Sequence, residues 1–178
     1  MHTQRDRDLI QVKFSYDRVV DHPLCFYDQN YIQNIKKTYT RKDFCKNFSL
    51  DETNTYIGIF GFISQYKGHE TLIRAMQFLP PSFNLLIFGA QHPHSIRLEE
   101  PINKYINYLI KLVTTMKLTN RVKFFRALND DDFLKAMINC DFNILPYMEV
   151  KQGGSAIAAL SLETNSHLFS PKTMHFLS

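Results

Sequence analysis

From Tyr56 onward, short unbroken apolar runs alternate with longer stretches whose apolar residues recur every three or four positions. The runs cover residues 56–60 (YIGIF), 84–88 (NLLIF), 122–125 (VKFF) and 141–145 (DFNIL), with a shorter one at 167–169. They are rich in β-branched and aromatic residues, and Gly61, Gly89 or Pro146 closes three of them. That pattern predicts strands buried on both faces. The stretches between them predict helices. Leu72, Ala75, Met76 and Leu79 share one face, and Pro80-Pro81 stops that helix. Ile102, Tyr105, Ile106, Leu109, Leu112, Val113 and Met116 mark a helix over 101–117. Phe133, Leu134, Met137 and Ile138 mark one over 132–139, capped by Asn129 or Asp130. Residues 154–163 predict a last helix of small residues.

Residues 1–54 are less regular. Segments 9–14 (LIQVKF) and 18–20 read as short strands, and 21–24 as a turn. Tyr31, Ile32, Ile35 and Tyr39 give helical spacing over 31–39, and 41–48 is a second short amphipathic stretch. A polar loop, 49–54, leads into the first run. Strands separated by helices of ten or more residues indicate right-handed βαβ units, hence an α/β fold with a parallel sheet flanked by helices. In such sheets ligands bind beyond the carboxyl ends of the strands. The loops that matter are therefore 61–68, 89–96, 125–130 and 146–155.

At 178 residues, 44% apolar and 13% aromatic, the chain suits one domain with a proper core. No apolar run is long enough to span a membrane. The start, MHTQRDRDLI, is charged and does not read as a signal peptide. Cys25, Cys45 and Cys140 show neither metal-ligand nor disulfide spacing, which points to reduced thiols in the cytoplasm. A net charge of +4 permits peripheral contact with an anionic membrane surface, or with phosphorylated ligands. Basic residues do not interleave with the aromatic ones as a nucleic-acid platform would require, so nucleic acid is not an expected partner.

Two loops carry candidate chemistry. Lys67 and Gly68 stand where a helix begins. A lysine there either neutralises a diphosphate or is one more solvated side chain. In the second loop, Gly153, Gly154 and Ser155 open a helix whose first N–H groups suit phosphate oxygens. Glu149, just before, can accept hydrogen bonds from sugar or ribose hydroxyls. The alternative is a glycine-rich turn with Glu149 solvated. Arg126 faces the same edge, as a phosphate or base contact or as a solvated arginine. His92 and His94 lack a third metal ligand. Asp130, Asp131 and Asp132 are better explained by the start of a helix.

The segment from Gly61 to Ala75, G-F-I-S-x-Y-K-G-x-x-x-L-I-x-A, resembles the start of the donor-binding domain of retaining GT-B glycosyltransferases, in the family 4-like group. The rest of that pattern follows in order as Leu85-Leu86-Ile87-Phe88-Gly89, Val122-Lys123-Phe124-Phe125, Asp141…Pro146 and Glu149…Gly153-Gly154. The likeness covers about residues 56–160. It implies a Rossmann-like domain of the GT-B C-terminal type over 55–178, preceded by an extension, 1–54, similar to the interdomain link. It implies that Lys67 contacts a donor diphosphate, that Glu149 contacts the donor sugar and is the catalytic candidate, that Gly153, Gly154 and Ser155 give N–H groups to phosphate, and that Arg126 belongs with the donor-binding residues. Gly61, Gly68 and Gly89 fall in the donor-binding set, and the loop after Phe125 would border the base.

The sequence also departs from that pattern. Phe62 stands where many members carry an arginine, and Ile157 where many carry a second glutamate. Variants with a Q-x-G turn are similar to Gln152-Gly153-Gly154, which adds Gln152 to the donor-binding candidates. Glu163-Thr164-Asn165 replaces the usual glycine and proline before the last strand. The resemblance implies transfer of a sugar from a nucleoside-diphosphate sugar to a glycan or lipid-linked acceptor. No metal or other cofactor need be invoked, and a separate acceptor-domain subunit would complete the enzyme. Two alternatives stand beside it. One is a non-catalytic nucleotide-binding module. The other is an unrelated doubly wound enzyme such as an epimerase, for which His92, His94 and Glu149 are the few candidates.

Overall fold

Five strands form one parallel sheet in the order β3-β2-β1-β4-β5. They are β1 Thr55–Phe60, β2 Phe83–Phe88, β3 Val122–Phe125, β4 Phe142–Ile144 and β5 Leu168–Phe169. The helices are α1 Gln4–Phe14, α2 Gln29–Thr38, α3 Arg41–Phe48, α4 His69–Ala75, α5 Lys104–Thr115, α6 Asp130–Asn139 and α7 Ala156–Glu163. The computed structural model describes residues 4–22, 24–90, 104–148 and 155–171. Among these, no helix is long and apolar enough to cross a membrane.

Alternation along the central strands divides the core in two. Tyr56, Phe60, Leu86 and Phe88 face α2, α3, α6 and α7 through Ile32, Ile35, Phe44, Leu134, Met137 and Leu160. Ile57, Ile59, Leu85, Ile87 and Val122 face α4 and α5 through Leu72, Ile73, Met76, Leu109, Leu112 and Val113. On the first face, Phe60 stacks on Phe88 and Phe88 on Phe125, each with centroids 4.9 Å apart, across three neighbouring strands. Burial on both faces is why these strands read as continuous apolar runs. Helices α2 and α3 lie before the polar loop, yet they share this core.

Asp141 and Arg41 fasten the middle of the sheet at its amino edge. The Asp141 carboxylate accepts the Tyr56 backbone N–H at 2.6 Å and the Arg41 guanidinium at 2.9 Å. Arg41 also donates to the Asn54 carbonyl at 2.8 Å and lies 4.9 Å from the Tyr56 ring centroid. One arginine from α3 thereby ties β1 to β4. Cap chemistry follows the sequence. Thr40 and Asp43 form a reciprocal capping box on α3, and Asn129 caps α6. At the end of α7, Asn165 takes the left-handed conformation, with φ 50°, that a glycine would otherwise supply. The Thr164 hydroxyl donates to the Leu160 and Ser161 carbonyls of the same turn.

Three expectations are corrected. Segment 9–14 is the end of α1, not a strand. A lone strand there would leave its backbone groups without a ladder, whereas a helix satisfies them locally. Residues 18–20 likewise form no strand. The helix predicted to reach Leu79 ends at Ala75 and tightens into a 3-10 turn, Met76–Phe78. Pro80 has no N–H for a bond to Met76, and it forces Leu79 into extended backbone, with ψ 150°.

Gly61 and Gly68 both have positive φ, 100° and 73°, but their surroundings differ. A Cβ on Gly68 would lie 1.9 Å from the Pro146 carbonyl oxygen, while one on Gly61 would meet only Ile157, at 3.6 Å. Gly68→Ala is therefore expected to cost more than about 3 kcal/mol, and Gly61→Ala about 1–2 kcal/mol. Urea melts of the two variants check this; equal losses would contradict it.

Candidate functional site

Helices α4 and α5 cover one face of the sheet and α6 and α7 the other, so the connections diverge above the gap between β1 and β4. A doubly wound sheet opens its binding crevice at that switch point. A cavity of about 730 Å³ lies there. Gly61 and Phe62 follow β1 into its wall, Gly89 and Ala90 follow β2, Ala127 and Leu128 follow β3, and Tyr147 follows β4. Ser155 and Ile157 come from the start of α7, and Phe26 and Tyr27 from the segment before α2. The volume is that of a small-molecule site, roughly 300–1,000 Å³.

The loop after β1 is clamped from two sides. Toward β2, the Gly61 N–H donates to the Phe88 carbonyl at 3.0 Å and the Ile63 N–H to the Ala90 carbonyl at 2.9 Å. Gly89 comes so close that a Cβ there would lie 2.1 Å from the Gly61 carbonyl oxygen. Toward β4, the Met148 N–H donates to the Tyr66 carbonyl at 2.9 Å, beside the contact of Gly68 with Pro146.

Between these clamps a 3-10 turn, Gln65–Lys67, carries the Lys67 amine into the cavity wall. Lys67 is only 9% exposed. Its Nζ donates a hydrogen bond to the Tyr147 hydroxyl. The same Nζ lies 3.9 Å from the Tyr147 ring centroid and 5.2 Å from that of Tyr66. The Tyr147 hydroxyl is in turn 3.4 Å from Ser155 Oγ, which accepts the Ala158 N–H at the start of α7. Among the described residues, no carboxylate pairs with Lys67. Burial without such a partner pulls the lysine down to about 8. His69, next along, is also buried, and burial pushes it down to about 4, so its ring is neutral at pH 7. Its Nδ1 faces the Ser64 carbonyl at 3.3 Å.

A second groove of about 740 Å³ runs beside α4 and α5. Its Arg74 and Glu70 pair with each other at 2.9 Å. A buried cation lacking a carboxylate is the stronger sign of an anionic ligand, so the first cavity is the candidate site.

Of the sequence candidates, Gly61, Lys67, Gly89 and Ser155 meet in the wall of this cavity. Gly68 acts behind the wall, through its contact with Pro146. Arg126 is exposed on the loop after β3, next to the lining residue Ala127 but not itself part of the wall. Glu149, Gln152, Gly153, Gly154, His92 and His94 lie outside the described residues. Asp131 accepts from Lys135 at 2.5 Å and from the Tyr31 hydroxyl at 2.8 Å, which accounts for part of the acidic run. Among the described residues no cluster of His, Cys, Asp or Glu could hold a metal. Tyr147, Tyr66, Phe26 and Tyr27 also line the cavity and are not among the sequence candidates. A tyrosine just after a strand-ending proline was the available signal for Tyr147. Nothing local marked Phe26 or Tyr27, which reach the site from far away in sequence.

No family model and no curated protein matches the sequence. Solved structures do match in fold. Anabaena HepE, solved with UDP, is similar over 98% of this chain and 44% of its own, with TM-score 0.72 and 17% identity. A glycosyltransferase from Rickettsia africae gives TM-score 0.75 at 14% identity, over 98% of this chain and 44% of its own. The C-terminal domain of a group 1 glycosyl transferase, LpcC, from Francisella tularensis gives TM-score 0.61 at 16% identity, over 79% of this chain and 69% of its own. The chain thus spans less than half the length of the first two. Its fold is that of the C-terminal domain of GT-B glycosyltransferases.

The buried ammonium has a thermodynamic signature. The folded state holds Lys67 near 8, against 10.5 in an unfolded chain, so between those values the unfolded state binds more protons and stability rises with pH. Below pH 8 the full cost of the buried charge is present. Lys67→Met is therefore expected to be more stable than the unaltered, ligand-free chain at pH 7, by about 1–3 kcal/mol, and to lose that advantage by about pH 10.5. Denaturant melts of both proteins across this range check it; a variant less stable at pH 7 would contradict it.

Proposed function

We propose that this chain is the donor-binding domain of a retaining glycosyltransferase. It holds a nucleoside-diphosphate sugar while the sugar moves to a glycan or lipid-linked acceptor, and a further domain or separate subunit supplies the acceptor side. The observation that carries this reading is Lys67, buried at the sheet's switch point without a carboxylate among the described residues. Folding against such a charge makes sense where an anion completes the site. The fold supports the same reading, since Anabaena HepE has been solved with UDP and with UDP-glucose.

In this mechanism Lys67 and the first-turn N–H groups of α7 offset the charge that develops on the departing diphosphate, so neither metal nor other cofactor is needed. Glu149 orients the donor sugar, and Gln152, Gly153 and Gly154 bring backbone to the phosphates. The apolar wall of Phe133, Leu128 and Ala127 borders the base. Work at the inner face of a membrane, from the cytoplasm, suits a lipid-linked acceptor.

A second reading, a module that holds the nucleotide but transfers nothing, draws on Phe62, which leaves Lys67 the one cation among the described wall residues.

Calorimetric titration with UDP, GDP, ADP and their sugar conjugates tests the proposal. One nucleotide is expected to bind saturably, and Lys67→Ala to weaken it by about 1.5–3 kcal/mol, the scale of a charged hydrogen bond. No binding by the folded chain would sink the donor-site reading, and unchanged affinity in the variant would remove Lys67 from it. Release of sugar from the bound conjugate separates the enzyme from the module.

A further inference from the structure

Lys67 is the last residue of a one-turn 3-10 segment, and a lysine side chain loses much rotamer freedom when it is held in one place. Something has to hold it in. Backbone contacts fix the segment itself, through the Met148 N–H on Tyr66 and the packing of Gly68 on Pro146, but neither touches the amine. Tyr147 does. It is 3% exposed, its hydroxyl accepts from Nζ, and its ring centroid is 3.9 Å from the same atom. The hydroxyl has a second neighbour, Ser155 Oγ at 3.4 Å, which belongs to the start of α7.

We propose that Tyr147 is a positioning residue for the donor site: its ring and hydroxyl hold the Lys67 ammonium against the cavity wall and align it with the start of α7, so that both meet one diphosphate. This rests on the donor-site reading above. The chemistry is specific to the side chain. A phenolic oxygen accepts a hydrogen bond from an ammonium, and an aromatic face attracts a cation, most strongly where water is excluded. Tyr147 therefore stabilises the charged lysine in two separable ways. The phenylalanine variant removes one and the leucine variant both.

Other groups stand near the amine. Tyr66 lies on the same turn, His69 is neutral at the head of α4, and Asp130, at the start of α6, is the one carboxylate among the described wall residues and forms no ion pair with Lys67. Burial raises the Tyr147 phenol to about 12, so it stays protonated throughout the range in which Lys67 titrates.

The test uses the full chain and its Tyr147→Phe and Tyr147→Leu variants. Lysines carry a carbon-13 label at Cε, so that NMR reads the titration midpoint of Lys67 directly, and UDP, GDP and ADP are titrated at several pH values. Tyr147→Phe is expected to keep the fold, to lower the Lys67 midpoint, and to weaken nucleotide binding about tenfold. Its upper pH limit for binding should fall with the midpoint, and Tyr147→Leu should lower both further. A merely structural tyrosine would change melting temperature and leave the Lys67 midpoint in place; that result overturns the proposal. So does unchanged affinity in Tyr147→Phe when the unaltered chain binds. Failure of the unaltered chain to bind any of the three nucleotides overturns the donor-site reading instead, and the lysine midpoints still decide whether Tyr147 holds the charge.

Discussion

The backbone of Gly68 lies against the carbonyl of Pro146, and the site depends on that approach. Gly68 closes the loop that leaves β1, and Pro146 opens the loop that leaves the neighbouring strand, β4. Only a residue without a Cβ lets them meet, because any other side chain would start 1.9 Å from an oxygen. Once they meet, Tyr66 accepts the Met148 N–H, and Lys67 and Tyr147 face each other with no room between them for bulk solvent. Gly89 repeats the device on the other side, against the Gly61 carbonyl. Glycine spacing in this sequence thus sets the distance between loops, and that distance sets the burial of a charge.

That burial works against the fold. A cation within two aromatic rings and one hydroxyl is less well solvated than in water, and burial lowers its pKa accordingly. The rest of the structure has stability to offset it. The sheet's middle strands are buried on both faces, three phenylalanine rings stack across them, and Arg41 and Asp141 tie their amino ends. A rigid scaffold carrying one poorly satisfied charge is the usual arrangement where a ligand supplies the missing partner.

Much of this was legible in the sequence, for reasons that differ from one element to the next. The strands stood out because burial on both faces leaves no polar alternation, and glycine or proline ends β1, β2 and the segment after β4. Helices α2, α3, α5 and α6 stood out because one apolar stripe faces the sheet. Segment 9–14 misled because its composition suits a strand, while the availability of a ladder partner is not written locally. In α1, Leu9 and Val12 remain 59% and 83% exposed, so no core contact shaped that pattern. At the site, position and residue type marked Lys67, but its burial could not be read, since it depends on Pro146 and Tyr147 some eighty residues on. Gly61, Gly68 and Gly89 were visible as turn formers. Which of them lines the cavity and which packs behind it is a matter of three-dimensional contact.

The sheet is also lopsided. β1 pairs with β2 along six residues, Thr55 to Phe60, but with β4 at only Ile57 and Gly58, and β4 holds β5 at only Asn143 and Ile144. The cavity straddles this seam. Lys67 hangs from the thick half, while Tyr147 and Ser155 hang from the thin one. Backbone amides on the β4–α7–β5 side therefore open to solvent more readily than those of β1 and β2, and anything that bridges Lys67 and the start of α7 acts as a rivet across the seam. A ligand in the cavity would in this way couple to the mechanical integrity of one half of the domain, adding to the few ladder bonds, the Arg41–Asp141 pair and the Tyr66–Met148 hydrogen bond that join it to the other.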